Sequence, residues 1–326
     1  MPIKKEDIYL KSTVVNQFTP DNTELRLMSE PLKLTPKLDE YFRVKIEKAT
    51  SDKANVGELD AGNPILRYID KEPVKSATEI SKLWRNEFVA SDDQKVNELI
   101  FLRFSVSGVE HFAFMRIILD EQLTHGTNKN HPLETTFNNL PSASKPPIDS
   151  IVINLDTREY WLLEKAIKVD GAKVNYFSEG LLEIVPEQSP NLVLKNIEKL
   201  AQGIADDFIM DNVDFETKMK STMYESLEND ELSVEKIADG VFGDNKTAKD
   251  MFVTEAANTI PEKMIVGDFD KETHIKKYQT QKLKFGDFEL KIPTEAFDDK
   301  NQVEIIENPD GSRNILFKNI KDIEVK

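Results

Sequence analysis

The sequence predicts an α+β fold: an N-terminal mixed sheet with packed helices, a helical middle region and a C-terminal β-hairpin module. Three observations carry that reading. Residues 99–104 and 112–119 are two apolar runs rich in Phe and Ile, the pattern of neighbouring buried strands. Val193, Ile197, Leu200, Ile204 and Phe208 fall three and four apart, which is one face of a helix. The end of the chain returns to extended patterning, with Phe285, Phe288, Leu290 and Ile292, then Val303, Ile305 and Ile306, then Ile315, Phe317 and Ile320. Between the last two groups stands Asn308-Pro309-Asp310-Gly311. Proline presets one φ and glycine tolerates φ > 0, so this stretch predicts a tight hairpin.

The elements follow in order. Ile8, Leu10, Val14 and Phe18 predict an opening strand, and Leu25-Arg26-Leu27 a short second one. Thr35-Pro36 is an N-cap followed by proline at the first helical position, with Leu38, Tyr41, Phe42 and Ile46 on one face behind it. Ser76 and Glu79 form a capping-box pattern ahead of the stripe Ile80, Leu83, Trp84 and Phe88. The two long strands join near Ser107-Gly108. Residues 125–147 are polar and Pro-rich without an apolar period, and read as a long loop. Residues 151–155, the turn Asp156-Thr157-Arg158, residues 160–167 and the turn Asp170-Gly171 read as a meander. A composition change between Pro186 and Pro190 marks a boundary, after which helices are expected from Ser189-Pro190 and at 214–228, 233–242 and 246–257. The expected domains are residues 1–187, an acidic helical region 188–265, and a β module 266–326 entered through a basic segment.

Composition excludes several classes. Hydrophobic residues at 39% and charged residues at 31% suit a globular rather than a disordered chain. No apolar run approaches the length of a bilayer span, and the best, 112–119, is interrupted by Arg116. The first residues, Met1-Pro2-Ile3-Lys4-Lys5, lack an apolar signal segment, and the absence of cysteine excludes disulfides and thiolate metal sites. The chain reads as cytosolic. Its formal charge of −16 repels DNA at long range, but screening confines that field and the distribution decides more than the sum. Residues 205–262 hold fifteen Asp/Glu against five Lys, whereas residues 271–284 hold five Lys against Glu272 alone.

The candidate sites are few. Residues 232–255 have the spacing of a helix-turn-helix, but the second helix offers Lys246, Thr247 and Lys249 beside Asp250 and Glu255. Base reading wants Arg, Asn or Gln in its first turns, so two packed helices of a bundle is the stronger reading. The segment His274 to Lys284 interleaves cations with an aromatic. Lys276, Lys277, Lys282 and Lys284 can neutralise phosphates and Tyr278 can stack on a base or sugar, while the alternative is a solvated linker whose lysines pair with the acidic helices. Arg103 and Arg116 are weaker additions. Pro309-Asp310 with Glu324-Val325-Lys326 imitates a metal-nuclease motif, but the turn accounts for Asp310 and Lys326 is the last residue. His125 and His131 could meet around a metal, but an ordinary polar loop is the stronger reading; His111 and His274 form no ligand pair with helical spacing. No P-loop, dinucleotide fingerprint or nucleophile elbow is present. No catalysis, cofactor or metal is expected.

The C-terminal strands and their Asn308-to-Gly311 turn resemble the 37-kDa nucleoid-associated proteins of bacteria, the NdpA-like family. The apolar pair at 99–119, the run 148–155, Tyr176-Phe177 and the helix ending in Ile204-Ala205-Asp206-Asp207-Phe208 match the order of that family's central and middle regions. The chain departs from it in one place: the glycine-rich run that some members carry before the last strands is here only Phe285-Gly286-Asp287. The resemblance implies a non-catalytic, nucleoid-associated protein that binds double-stranded DNA through its backbone, largely independent of sequence. A second reading is an acidic interaction module that binds basic DNA-processing proteins and reaches the nucleoid indirectly. Strands with exposed edges further predict a homodimer.

Overall fold

The long hairpin is the centre of a seven-stranded antiparallel sheet. The computed structural model describes residues 2–20, 23–69, 71–92, 95–125, 133–208, 210–230, 232–243, 245–259 and 271–321. It divides into two compact units, Met1–Ser189 and Pro190–Lys326. In the first unit, β1 (Ile8–Thr19), β2 (Glu24–Arg26), α1 (Pro36–Ala49), β3 (Asn55–Glu58), α2 (Leu66–Ile69) and α3 (Pro73–Phe88) precede the hairpin of β4 (Asn97–Val106) and β5 (Val109–Ile118). Next come β6 (Asp120–His125), β7 (Leu133–Asn139), β8 (Asp149–Asn154), β9 (Glu159–Leu163), β10 (Ile167–Val169), β11 (Ala172–Val174) and a π-helical turn, Tyr176–Leu182. The large sheet runs β2-β1-β4-β5-β8-β9-β3. Ser107 and Gly108, both at positive φ, make the two-residue turn between β4 and β5.

Both faces of this sheet are covered, which is why its central strands are almost continuously apolar. Leu99, Phe101, Phe112 and Phe114 pack with Ile80, Trp84 and Phe88 of α3 on one side. Ile100, Leu102, Phe104 and Met115 pack with Phe42 and Ile46 of α1 on the other. In β1, Ile8 joins the α1 side and Val14 and Phe18 the α3 side, although all three positions are even. An irregularity between Leu10 and Ser12 inserts one residue and swaps the faces. One polar cluster sits in this core. The Asp149 carboxylate accepts from Arg116 Nε at 2.5 Å, from the Tyr176 hydroxyl at 2.7 Å and from the Lys165 amide at 2.7 Å. Trp84 Nε1 donates in turn to the Tyr176 oxygen at 3.1 Å.

Two expectations for this unit are corrected. Helix α3 begins at Pro73, three residues before the capping box, because proline at the first position starts the helix; Ser76 is buried inside it. Residues 125–147 are not one long loop, since β7 pairs with β6 as a polar ribbon whose Thr135 and Thr136 suit extended backbone. Leu123, Leu133 and Phe137 are its large apolar residues, too few and too widely spaced in the sequence to show as an apolar period. Thr35 does cap α1, its hydroxyl accepting from the Leu38 amide.

The second unit contains α4 (Pro190–Asp207), α5 (Asn212–Glu228), α6 (Val234–Phe242), α7 (Lys246–Thr259) and α8 (Lys271–Tyr278). They are followed by β12 (Thr280–Phe285), β13 (Phe288–Pro293), α9 (Thr294–Asp298), β14 (Val303–Glu307) and β15 (Arg313–Phe317). Val193, Ile197 and Ile204 of α4 bury against Phe215, Met219 and Met223 of α5 and against Phe242 and Phe252. Asp211 and Ser233 cap α5 and α6. Gly240 lets α6 lie close to α5, because a Cβ there would overlap the Thr222 side chain. The expected boundary at 265/266 lies outside the described residues.

Candidate nucleic-acid interface

The basic segment is not a single extended surface. Its first half is the helix α8, and its second half is strand β12. On α8, His274 and Tyr278 lie one turn apart and both face inward, leaving Lys276 and Lys277 exposed. Tyr278 is 2% exposed, so its ring belongs to the helical core rather than to a stacking surface. Its hydroxyl donates to Glu198 of α4 at 2.5 Å, and burial with that carboxylate pushes its pKa well above the ordinary phenol value. Lys277 is held by the same carboxylate, at 2.6 Å from Oε2, and lies over the Tyr278 ring. Glu198 thus brings Lys277 and Tyr278 together and neutralises the lysine locally.

Lys282 and Lys284 have a different setting. They occupy alternate positions of β12, so both point to one face of the β12–β13 hairpin, and both are exposed. Gly286, at positive φ, and Asp287 form the two-residue turn that fixes the register. That register sets Lys282 opposite Lys291 and Lys284 opposite Glu289. Like charges directly across a strand pair repel, so the Lys282–Lys291 position gains when an anion binds. Glu289 lies 3.6 Å from Lys291 and is the acid nearest the cluster along the hairpin. Among the described residues neither Lys282 nor Lys284 forms an ion pair. Lys291 was missed in the sequence, although a two-residue turn at Gly286-Asp287 would have placed it by counting.

The remaining candidates fall elsewhere. Arg116 is 2% exposed and paired with Asp149, so it is not a surface cation. Arg103 is half-buried and donates to the Lys71 carbonyl at 3.0 Å. In the helix-turn-helix candidate, Lys249 pairs with Asp239 and Phe242 packs on Phe252 at 5.6 Å, the arrangement of two bundled helices. Asp310 accepts from the Ser312 amide at 2.9 Å and its hydroxyl at 2.6 Å, bonds that close the turn and hold its carboxyl below the usual range. Glu324-Val325-Lys326 and His131 lie outside the described residues. His111 donates its Nδ1–H to the Val109 carbonyl at 3.0 Å and stacks on Phe104, and burial lowers its pKa. Among the described residues no three His, Asp or Glu side chains are grouped to hold a metal, and no helix is long and apolar enough to cross a membrane.

Comparison with known proteins gives one match that spans nearly the whole chain. A family model described as nucleoid-associated protein YejK matches residues 11–324. No curated protein sequence matches the chain.

Proposed function

The chain belongs to the nucleoid-associated protein YejK family, and from that premise we propose that it binds duplex DNA through phosphate contacts. The observation that carries the reading is the exposed lysine face of the β12–β13 hairpin, with Lys282 set across from Lys291 and Lys284 beside them. Lysines on a strand face contact phosphates as point charges and read no base edge, so binding is largely independent of sequence. Lys276 on α8 adds a further exposed cation, while Lys277 and Tyr278 contribute less because Glu198 engages both. The role is non-catalytic and belongs to the cytoplasmic nucleoid.

The acidic-module reading keeps one specific support: the exposed acids of α5 to α7 lie in a stretch of fifteen Asp/Glu against five Lys. An electrophoretic shift titration on the purified chain at low and moderate salt separates the two. Changing Lys282, Lys284 and Lys291 to Gln should weaken binding to every duplex tested. Three lost phosphate contacts at about 0.9 each lower the log–log salt slope by about 2.7. A matched Lys277→Gln variant should change it less. An unchanged slope in the triple variant removes this face as the DNA contact. No binding by the wild type at low salt gives the function to the acidic helices.

A further inference from the structure

A second feature of the same unit has different chemistry. A groove of about 790 Å³ opens beside α5, and its walls come from β12 and β15. Every residue from Gln281 to Phe285 lines it. Successive strand residues point to opposite faces, so a wall that includes all of them is presented edge-on. Arg313, Asn314, Ile315 and Phe317 form the facing wall, whereas the inner strands β13 and β14 contribute only Leu290 and Ile305. In the described residues β12 pairs only with β13 and β15 only with β14. Two strand edges with unused amide and carbonyl groups therefore border one slot. Its floor is aliphatic, built from the cross-strand pairs Leu283–Leu290 and Ile305–Ile315.

The charge on the rim completes the pattern. Lys220, Lys282 and Lys284 line the groove against Glu216, and no ion pair engages those three lysines among the described residues. Arg313 is already held by Asp211 at 2.9 Å. In a chain of net charge −16, this is a locally cationic groove over an apolar floor.

We propose that the groove takes an extended segment of a partner protein, with acidic and apolar residues in alternation, which adds as a strand between β12 and β15. Backbone groups on both edges supply the pairing, alternate apolar side chains fill the floor, and the acids meet the lysines. Phe285 and Phe317 also line the groove, but the two strand edges and the Leu–Ile floor favour a peptide, which can use the backbone pairing that a nucleic-acid strand cannot. The inference does not depend on the DNA reading, but both use Lys282 and Lys284, so duplex DNA and the segment should compete.

The test is fluorescence polarisation of the full chain with a labelled synthetic peptide that alternates Asp with Ile and Val. Saturable binding is expected. It should weaken about tenfold or more when alternate peptide amides are N-methylated, or when Lys replaces Asp in the peptide. Ile315→Glu in the protein should abolish peptide binding yet leave duplex DNA binding intact, which separates this inference from the phosphate-contact reading. The N-methylated peptide decides the matter even if that variant folds poorly. Lack of saturable binding overturns the proposal, as does equal binding of the N-methylated peptide. Single-stranded DNA that binds in the groove and is lost with Ile315→Glu reassigns it to nucleic acid. A mass that halves in the same variant reassigns it to a second copy of the chain.

Discussion

Asp149→Ala tests whether one carboxylate organises the first unit. Asp149 is fully buried and accepts from three donors: Arg116, the Tyr176 hydroxyl and the Lys165 amide. Removing it leaves the Arg116 guanidinium, 2% exposed, without its buried counter-charge. Breaking a buried pair in this way costs about 3–5 kcal/mol, far above the cost of a surface change. For a unit of this size each kcal/mol moves the midpoint by roughly 2–4 °C, so the loss should be about 6–20 °C. Trp84 and Trp161, the two tryptophans of the chain, both lie in this unit, so their fluorescence during urea or thermal unfolding reports on it alone. The double variant Arg116→Met/Asp149→Leu leaves no buried charge unpaired and should recover part of the loss. A cost near 1 kcal/mol, the average of any point substitution, would refute the reasoning. The result also bears on function, because lost DNA binding in an Arg116 variant would then follow from unfolding and not from a missing phosphate contact.

Three further outcomes are expected. Lys45 is buried, with its amine donating to the Ser142 and Lys145 carbonyls, and burial lowers its pKa to about 8 from 10.5. The unfolded chain binds the extra proton between those values, so stability should rise with pH from about 8 to 10.5. Lys45→Met should remove that rise, as read from urea midpoints at the two ends of the window. Limited proteolysis should cut first near Val185, which is 92% exposed, and cuts inside β4 or β5 would contradict the core assignment. Light scattering at tens of micromolar should return a dimer of the 37.3-kDa chain, and a monomer mass would end that reading.

Much of the fold is legible in the sequence where the signal is local. Helix α1 follows from Thr35-Pro36 and its apolar face, and α4 from its stripe of Val193, Ile197 and Ile204. The turns at Ser107-Gly108, Asp170-Gly171 and Gly311 follow from residues that tolerate positive φ, and positive φ is found there. The β6–β7 ribbon is not legible because its two strands carry only Leu123, Leu133 and Phe137 as large apolar residues, too few to leave a period. The lysine face was half legible: Lys282 and Lys284 stand out by composition, whereas Lys291 joins them only through the register of the hairpin.

By itself the sequence determined the class of the fold, the helical and strand periods, the excess of acid and the basic stretch after it. Tertiary structure decided which of those charges are available. Lys277 is neutralised by Glu198, 79 residues earlier, and Arg116 is sealed in the core by Asp149, 33 residues later. It also decided that β1 changes faces at Leu10–Ser12, and that Tyr278 serves the core and not the surface. The physical reason is one of range. Backbone periodicity and capping act over a few residues and are written locally, whereas burial and ion pairing depend on partners that only the folded chain brings within a few ångströms.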